Sequence, residues 1–330
     1  MLRRPRPPSA SLEEVAAVPE PMEVVAEAPP PPERTPIPTD NPKKVQLLER
    51  VKDALRALPV HFQSSTNIEG LEAGDLFSVN SVLSGTTEIQ VVKTLNRLRS
   101  LWDPDGDWQD FEFVRSQQTF PDVRLLAHRE VGPEVALGLE LKGWYLLSRE
   151  GQPSFRYTPT PSACSPFDQL VVIPWHLSNV LAGTPVVYEP YIEQAKYAAE
   201  LRNYYWRYQR GAKSDTTINS PTGITPYPAP KAKVADIAVS DGPKNFGRVA
   251  RVHGLMDEYT KHALTTRVAG IEAANWVRFF KIQAEAAASE DVARRLETML
   301  REESTKLTED DAARALEIIK ELGQLLSSTT

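Results

Sequence analysis

The stretch 119-TFPDVRLLAHREVGPEVALGLELKGWYLL-147 decides the fold. Residues 119–127 read as a strand, His128 to Pro133 as a turn, and 134–147 as a second, alternating strand that is β-rich at its end. Two strands joined by so short a turn pair antiparallel. Asp122 opens the first strand and Glu140 lies late in the second, so the pairing brings the two acids together. Glu140 and Lys142 are two apart and leave the same face of the strand, while Leu141 points the other way. Ala136 and Gly138 share the Glu140 face, and their small size is expected to leave room for a substrate backbone.

Outward from this hairpin, residues 154–158 predict a third strand. Residues 168–175, DQLVVIPW, predict a fourth that is apolar on both faces and therefore buried. Upstream, Val45, Leu48, Val51, Leu55 and Leu58 give helical spacing over 43–58, with Pro59 ending the helix. Val91, Leu95, Leu98 and Trp102 give it again over 84–101. Downstream, a helix is expected over 190–209 and a long mobile loop over 211–233. Helices are expected over 247–287, 290–303 and 309–326, the last opened by a Thr308–Asp311 capping box. The spacing thus predicts an α/β fold: a mixed-sheet core flanked by helices over 43–246, and a helical C-terminal region over 247–330.

Residues 1–42 hold 12 of the 28 prolines and no aromatic residue. Four of them, Pro29 to Pro32, are consecutive and favour polyproline II. Such a segment buries too little apolar surface to offset ordering entropy and is expected to be a disordered tail, with docking to a protein partner as its functional alternative. The longest apolar run, Leu170 to Trp175, is strand-sized, so no membrane span is expected. The N-terminus has no apolar run behind its arginines and does not read as a secretory signal. One cysteine, Cys164, excludes an internal disulfide framework and fits a reducing cytoplasm.

The net charge of −6 is unevenly spread. Residues 1–42 carry 4 basic and 7 acidic groups, residues 285–330 carry 6 and 11, and residues 151–284 carry 15 and 10. A mildly basic body between acidic ends can meet phosphates. The five histidines are scattered without zinc-ligand spacing, and no glycine-rich phosphate loop occurs.

Hydrolysing a phosphodiester calls for a metal ion and an activated water. Magnesium takes oxygen ligands, typically a couple of carboxylates and several waters. Asp122 and Glu140 on neighbouring strands supply such a pair, the Leu141 carbonyl lies close by, and Lys142 stands beside them. The motif, Pro121-Asp122 followed by Glu140-Leu141-Lys142, resembles that of the PD-(D/E)xK nuclease superfamily, the fold of most type II restriction endonucleases, over about residues 80–210. Glu140-Leu141-Lys142 is the only acidic-x-Lys triplet in the chain. The resemblance implies that Asp122, Glu140 and the Leu141 carbonyl hold Mg²⁺, with Mn²⁺ able to substitute, and that Lys142 orients or deprotonates the attacking water. It also suggests Glu88, on the apolar face of the preceding helix, as a further acid. The alternative is that Glu88 pairs with an arginine such as Arg115.

Residues 202–213 alternate basic and aromatic side chains. Arg202, Tyr205, Arg207, Arg210 and Lys213 are candidates for contacting double-stranded DNA, with Lys244 and Arg248 as a second basic group on an expected helix start. The resemblance implies a sequence-specific endonuclease of a restriction system, acting as a homodimer because two strands need two sites. Two alternatives are a catalytically silent DNA-binding or scaffold module and a repair or recombination nuclease.

Overall fold

A computed structural model of the chain describes residues 28–70, 76–116, 118–211, 215–242, 244–285 and 289–303, with five scattered positions between 313 and 321. One unit of the chain ends at Pro30, and all of it but 28–30 lies outside the described residues. The expectation of disorder over 1–27, the Thr308–Asp311 cap and Lys213 therefore lie outside them too. The second unit begins at Pro31, earlier than the expected tail boundary at 42. The reason is a two-point clasp. Arg34 donates twice to Glu193, at 3.0 and 2.7 Å, and the Gln194 side chain accepts from Thr35 N and donates to Thr35 O, each at 2.9 Å.

Helix α1 (Pro42–Arg56) starts on Asn41, whose side chain accepts from Lys44 N, with Pro42 in the first turn where its missing N–H costs nothing. It buries Leu47, Leu48, Val51 and Leu55. Pro59 does not end this helix. It opens a further single turn, α2 (Leu58–His61). Helix α3 (Leu76–Arg97) starts earlier than expected and is followed by the one-turn α4 (Arg99–Trp102).

The sheet has six strands: β1 (Glu112–Arg115), β2 (Val123–Arg129), β3 (Gly132–Tyr145), β4 (Gln169–Leu177), β5 (Pro185–Val187) and β6 (Tyr191–Gln194). Strands β1, β2 and β3 form an antiparallel meander. Strand β4 runs parallel to β3, and β5 and β6 pair antiparallel with its two ends. A register shift at Leu125/Leu126 lets Leu125, Leu126 and Ala127 all be buried in succession. All nine residues of β4 are buried, as its unbroken apolar run requires.

Several expected elements differ. Strand β1 had no signal, because four residues carry little periodicity. Asn96 of α3 fixes it by exchanging two 2.9 Å hydrogen bonds with the Phe113 backbone. Residues 154–158 form no strand; Arg156 makes only a single bridge to Arg248. The expected helix 190–209 begins with strand β6, and only α5 (Ala195–Tyr204) and a π-type turn at Tyr205–Gln209 are helical. The expected loop 211–233 contains a two-residue strand, β7 (Ile218–Asn219), which pairs antiparallel with β8 (Ile237–Ala238).

Residues 247–287 are not one helix. They hold a 3-10 turn at Val249–Arg251, α6 (Asp257–Leu264), a hairpin of β9 (Arg267–Val268) and β10 (Ile271–Glu272), and α7 (Ala273–Glu285). Gly254 and Gly270, at φ +80° and +84°, break the helical path. Helix α8 (Ser289–Glu303) matches its expected range.

One apolar core joins α1, the sheet and α5 to Val249, Val252, Met256, Val268 and Phe280, so packing runs across residue 247. Among the described residues no helix is long and apolar enough to cross a membrane.

Candidate active site

Continuing the β2–β3 register beyond Val123↔Leu139 sets Asp122 against Glu140 one step on and Pro121 against Leu141 two steps on. Proline has no N–H to donate to the Leu141 carbonyl. The Leu141 N–H, in turn, donates to Asp122 Oδ2 at 3.1 Å, and the Asp122 N–H donates to Glu140 Oε2 at 3.2 Å. The strand pair therefore opens where β2 begins, and side-chain carboxylates take over from the ladder.

Lys142 Nζ lies 2.7 Å from Glu140 Oε1 and 3.1 Å from Asp122 Oδ2. Both acids and the lysine leave one face of the sheet. Glu140 is 9% exposed, Lys142 21% and Asp122 26%, so the cluster is sunk yet reachable from solvent. Burial pushes the Glu140 carboxyl up to about 7, with the Asp122 charge adding to the rise and Lys142 opposing it. Burial alone would lower the Lys142 ammonium, but the two carboxylates outweigh it and hold its pKa above the ordinary lysine value.

Asp122 Oδ2 and Glu140 Oε1, from adjacent chain segments, converge on one point, which the Lys142 ammonium occupies; hard divalent cations take oxygen donors of this kind. Among the described residues no group of three or more acidic, histidine or cysteine side chains could hold a metal. Glu88 does not join the pair. It binds Arg115 at 2.9 and 3.2 Å, and Arg115 lies opposite Val123, on the sheet face opposite to that of Asp122 and Glu140.

Gly138 has a different role from the one expected. A Cβ there would lie 2.2 Å from Pro121 Cγ and 2.9 Å from Asp168 Oδ1. The space is filled by Pro121 and Asp168 rather than kept for substrate, and Ala136 is buried. Asp168 accepts from Gly138 N at 2.7 Å, Ser165 N at 2.8 Å and the Tyr227 hydroxyl at 2.9 Å. Burial pushes it up to about 6 against those three bonds. It pins β3 and the loop that carries Tyr227 beside the acids. The reasoning from sequence missed this residue; an acid opening an otherwise apolar buried strand was its one signal.

The expected DNA-contacting residues are divided. Arg202 is 1% exposed and cannot reach a phosphate. Its guanidinium is held by Asp236 at 2.6 Å, Asn203, and the Tyr157 and Pro159 carbonyls. Its sequence neighbours misled because it points off the buried side of α5. Tyr205 is half-buried with its ring edge-on to His253. Arg210 stacks on Trp206, 3.5 Å from the ring centroid, while Arg207 is exposed. Lys244 is exposed in a loop, and Arg248, 3.7 Å from Glu150, is the N-cap of the 3-10 turn Val249–Arg251 rather than the start of an α-helix. A separate cleft of about 640 Å³, lined by Arg156, Thr158, Asp236, Ile237, Asp241 and Phe246 among others, includes neither Asp122 nor Glu140.

Neither a family model, nor a curated protein, nor a solved structure matches this chain.

Proposed function

We propose that the chain is a metal-dependent phosphodiesterase acting on duplex DNA, an endonuclease with Asp122, Glu140 and Lys142 at its centre. The observation that carries this reading is the convergence of Asp122 Oδ2 and Glu140 Oε1 on one cationic point from two adjacent strands. Asp122, Glu140 and the Leu141 carbonyl would hold Mg²⁺ or Mn²⁺. The ion would neutralise charge at the phosphate and acidify the attacking water. Lys142, with no acceptor capacity and three donors, orients that water or the phosphate oxygen by donation. The parallel β3–β4 pair and the bond from Gly138 N to Asp168 keep the Glu140 strand rigid, which positioning catalysis requires.

The antiparallel hairpin, the acid pair with its lysine, and the helix α3 ahead of it support a restriction-endonuclease-like core. A role in a restriction system, action as a homodimer and a cytoplasmic location belong to the same proposal. The test is incubation of duplex oligonucleotides with the purified chain and Mg²⁺, followed by analysis of the new ends. The reading expects a 5′-phosphate and a 3′-hydroxyl; intact DNA with every duplex and metal tried contradicts it.

A second reading has one observation in its favour. The Lys142 ammonium already satisfies both carboxylates, and no third acid joins them among the described residues. The same three residues would then be a buried ion network in a catalytically silent DNA-binding module. Duplex binding that survives Glu140→Gln with no cleavage by either protein selects it. Cleavage confined to branched or nicked DNA selects a repair nuclease instead.

A further inference from the structure

Three of the six described non-glycine residues with left-handed backbone meet at one place beside Asp122. They are Gln118 (φ 56°), Tyr227 (φ 58°) and Lys231 (φ 64°). Such conformations are costly for residues with a Cβ and persist where surrounding contacts over-determine them.

The contacts are present. Lys231 N donates to the Gln118 carbonyl at 3.2 Å. Arg124 donates to the Phe120 carbonyl at 2.9 Å and the Pro228 carbonyl at 3.1 Å, and its guanidinium sits 5.6 Å from the Tyr227 ring centroid. The Tyr227 hydroxyl donates to Asp168, which also holds Gly138 two residues before Glu140. Ser116 N donates to the Asp122 carbonyl at 2.7 Å, which ties the end of β1 to the start of β2. The loop around 227–231 is thus fastened to the turn that delivers Asp122 and to the strand that delivers Glu140.

Chain length bounds Gln118 to within about 14 Å of Asp122. Lys231 and Lys233 on this loop are both exposed, and neither is paired with a carboxylate among the described residues. Both lysines are carried on the loop whose backbone meets Gln118, and basic groups there complement the phosphates flanking the bond that the acids would cut.

We infer that the loop 224–233 is a DNA-backbone clamp, with Lys231 and Lys233 contacting phosphates on either side of the scissile position. The inference rests on the nuclease reading above and adds to it the element that seats the duplex. Phosphate contacts by lysine carry no base information. The clamp therefore contributes to affinity for any sequence, and through counterion release it contributes to salt dependence. Each phosphate contact adds about 0.9 to the slope of log affinity against log salt.

The test is anisotropy of a fluorescent duplex oligonucleotide titrated with the full chain in EDTA, between about 50 and 200 mM salt. Lys231→Glu/Lys233→Glu is compared with wild type and with Lys231→Arg/Lys233→Arg. We expect the glutamate pair to bind at least about tenfold more weakly and to lose about 2 from the salt slope, and the arginine pair to match wild type. Both positions are exposed, so circular dichroism should be unchanged. Wild-type binding and cleavage with an unchanged slope in the glutamate pair overturns the clamp and leaves the nuclease reading standing. A wild-type chain that neither binds nor cuts duplex DNA overturns both.

Discussion

The Lys142 ammonium lies 2.7 Å from the Glu140 carboxylate, two residues away on the same strand face. One side chain thus compensates a buried charge that the strand would otherwise have to hold alone, and Asp122 closes the triangle from the neighbouring chain segment.

Lys142→Met leaves two carboxylates facing each other without a cation. Removing one partner of a buried ion network costs about 3–5 kcal/mol. Urea unfolding should show a loss of that size. Mg²⁺ should then recover part of it, since a ligand at a hundred times its Kd adds about 2.7 kcal/mol. A Mg²⁺ effect no larger than in Lys142→Met/Glu140→Gln would show that the acids are not a cation site.

Gly138→Ala places a methyl 2.2 Å from the Pro121 ring. Overpacking of this kind costs about 1–3 kcal/mol. Because Pro121 precedes Asp122, the displacement should also lower any cleavage rate more than the stability loss explains. A variant with wild-type stability and rate contradicts the packing described for this face.

Arg202→Met removes the partner of Asp236, leaving a buried carboxylate held only by Asn203. A loss of about 3–5 kcal/mol is expected in urea. The salt slope of DNA binding should not change, because Arg202 never meets solvent. A reduced slope in a stably folded variant would return Arg202 to the interface.

Asp168 titrates at about 6 in the fold, against an ordinary value of 3.8. The folded state therefore binds more protons than the unfolded chain between those values, so this residue's contribution to stability is present below about pH 4 and is lost as pH rises through about 6. Asp168→Asn should flatten stability against pH across that window. It should also cost about 1–3 kcal/mol at neutral pH, because an amide cannot accept at all three donors. An unaltered pH profile in the variant would assign the dependence elsewhere.

How much was legible follows from periodicity and range. The hairpin over 119–147 and the buried strand at 169–177 were readable because their apolar patterns are long and their turn residues local. The side-by-side placement of Asp122 and Glu140 followed from the same two strands. Strand β1 was not readable, since its four residues are fixed by Asn96, a partner distant in sequence. Arg202 was misread because its charge pattern matched a surface while its partner, Asp236, lay beyond a long loop. The Asp168–Tyr227 bond was hidden for the same reason. Gly138 was singled out correctly as a place where size matters, but the group that needs the space is Pro121.

The most direct measurement of the central claim is relaxation and linearisation of supercoiled plasmid by the purified chain in Mg²⁺, with Glu140→Gln prepared identically. Glu140→Gln keeps the side-chain shape and removes the charge. The account predicts cutting by wild type and a loss of at least about a hundredfold in the variant, the scale of removing one group that stabilises charge in the transition state. Equal cutting by the two proteins, or none by a folded wild type with either Mg²⁺ or Mn²⁺ on unmodified DNA, would contradict it.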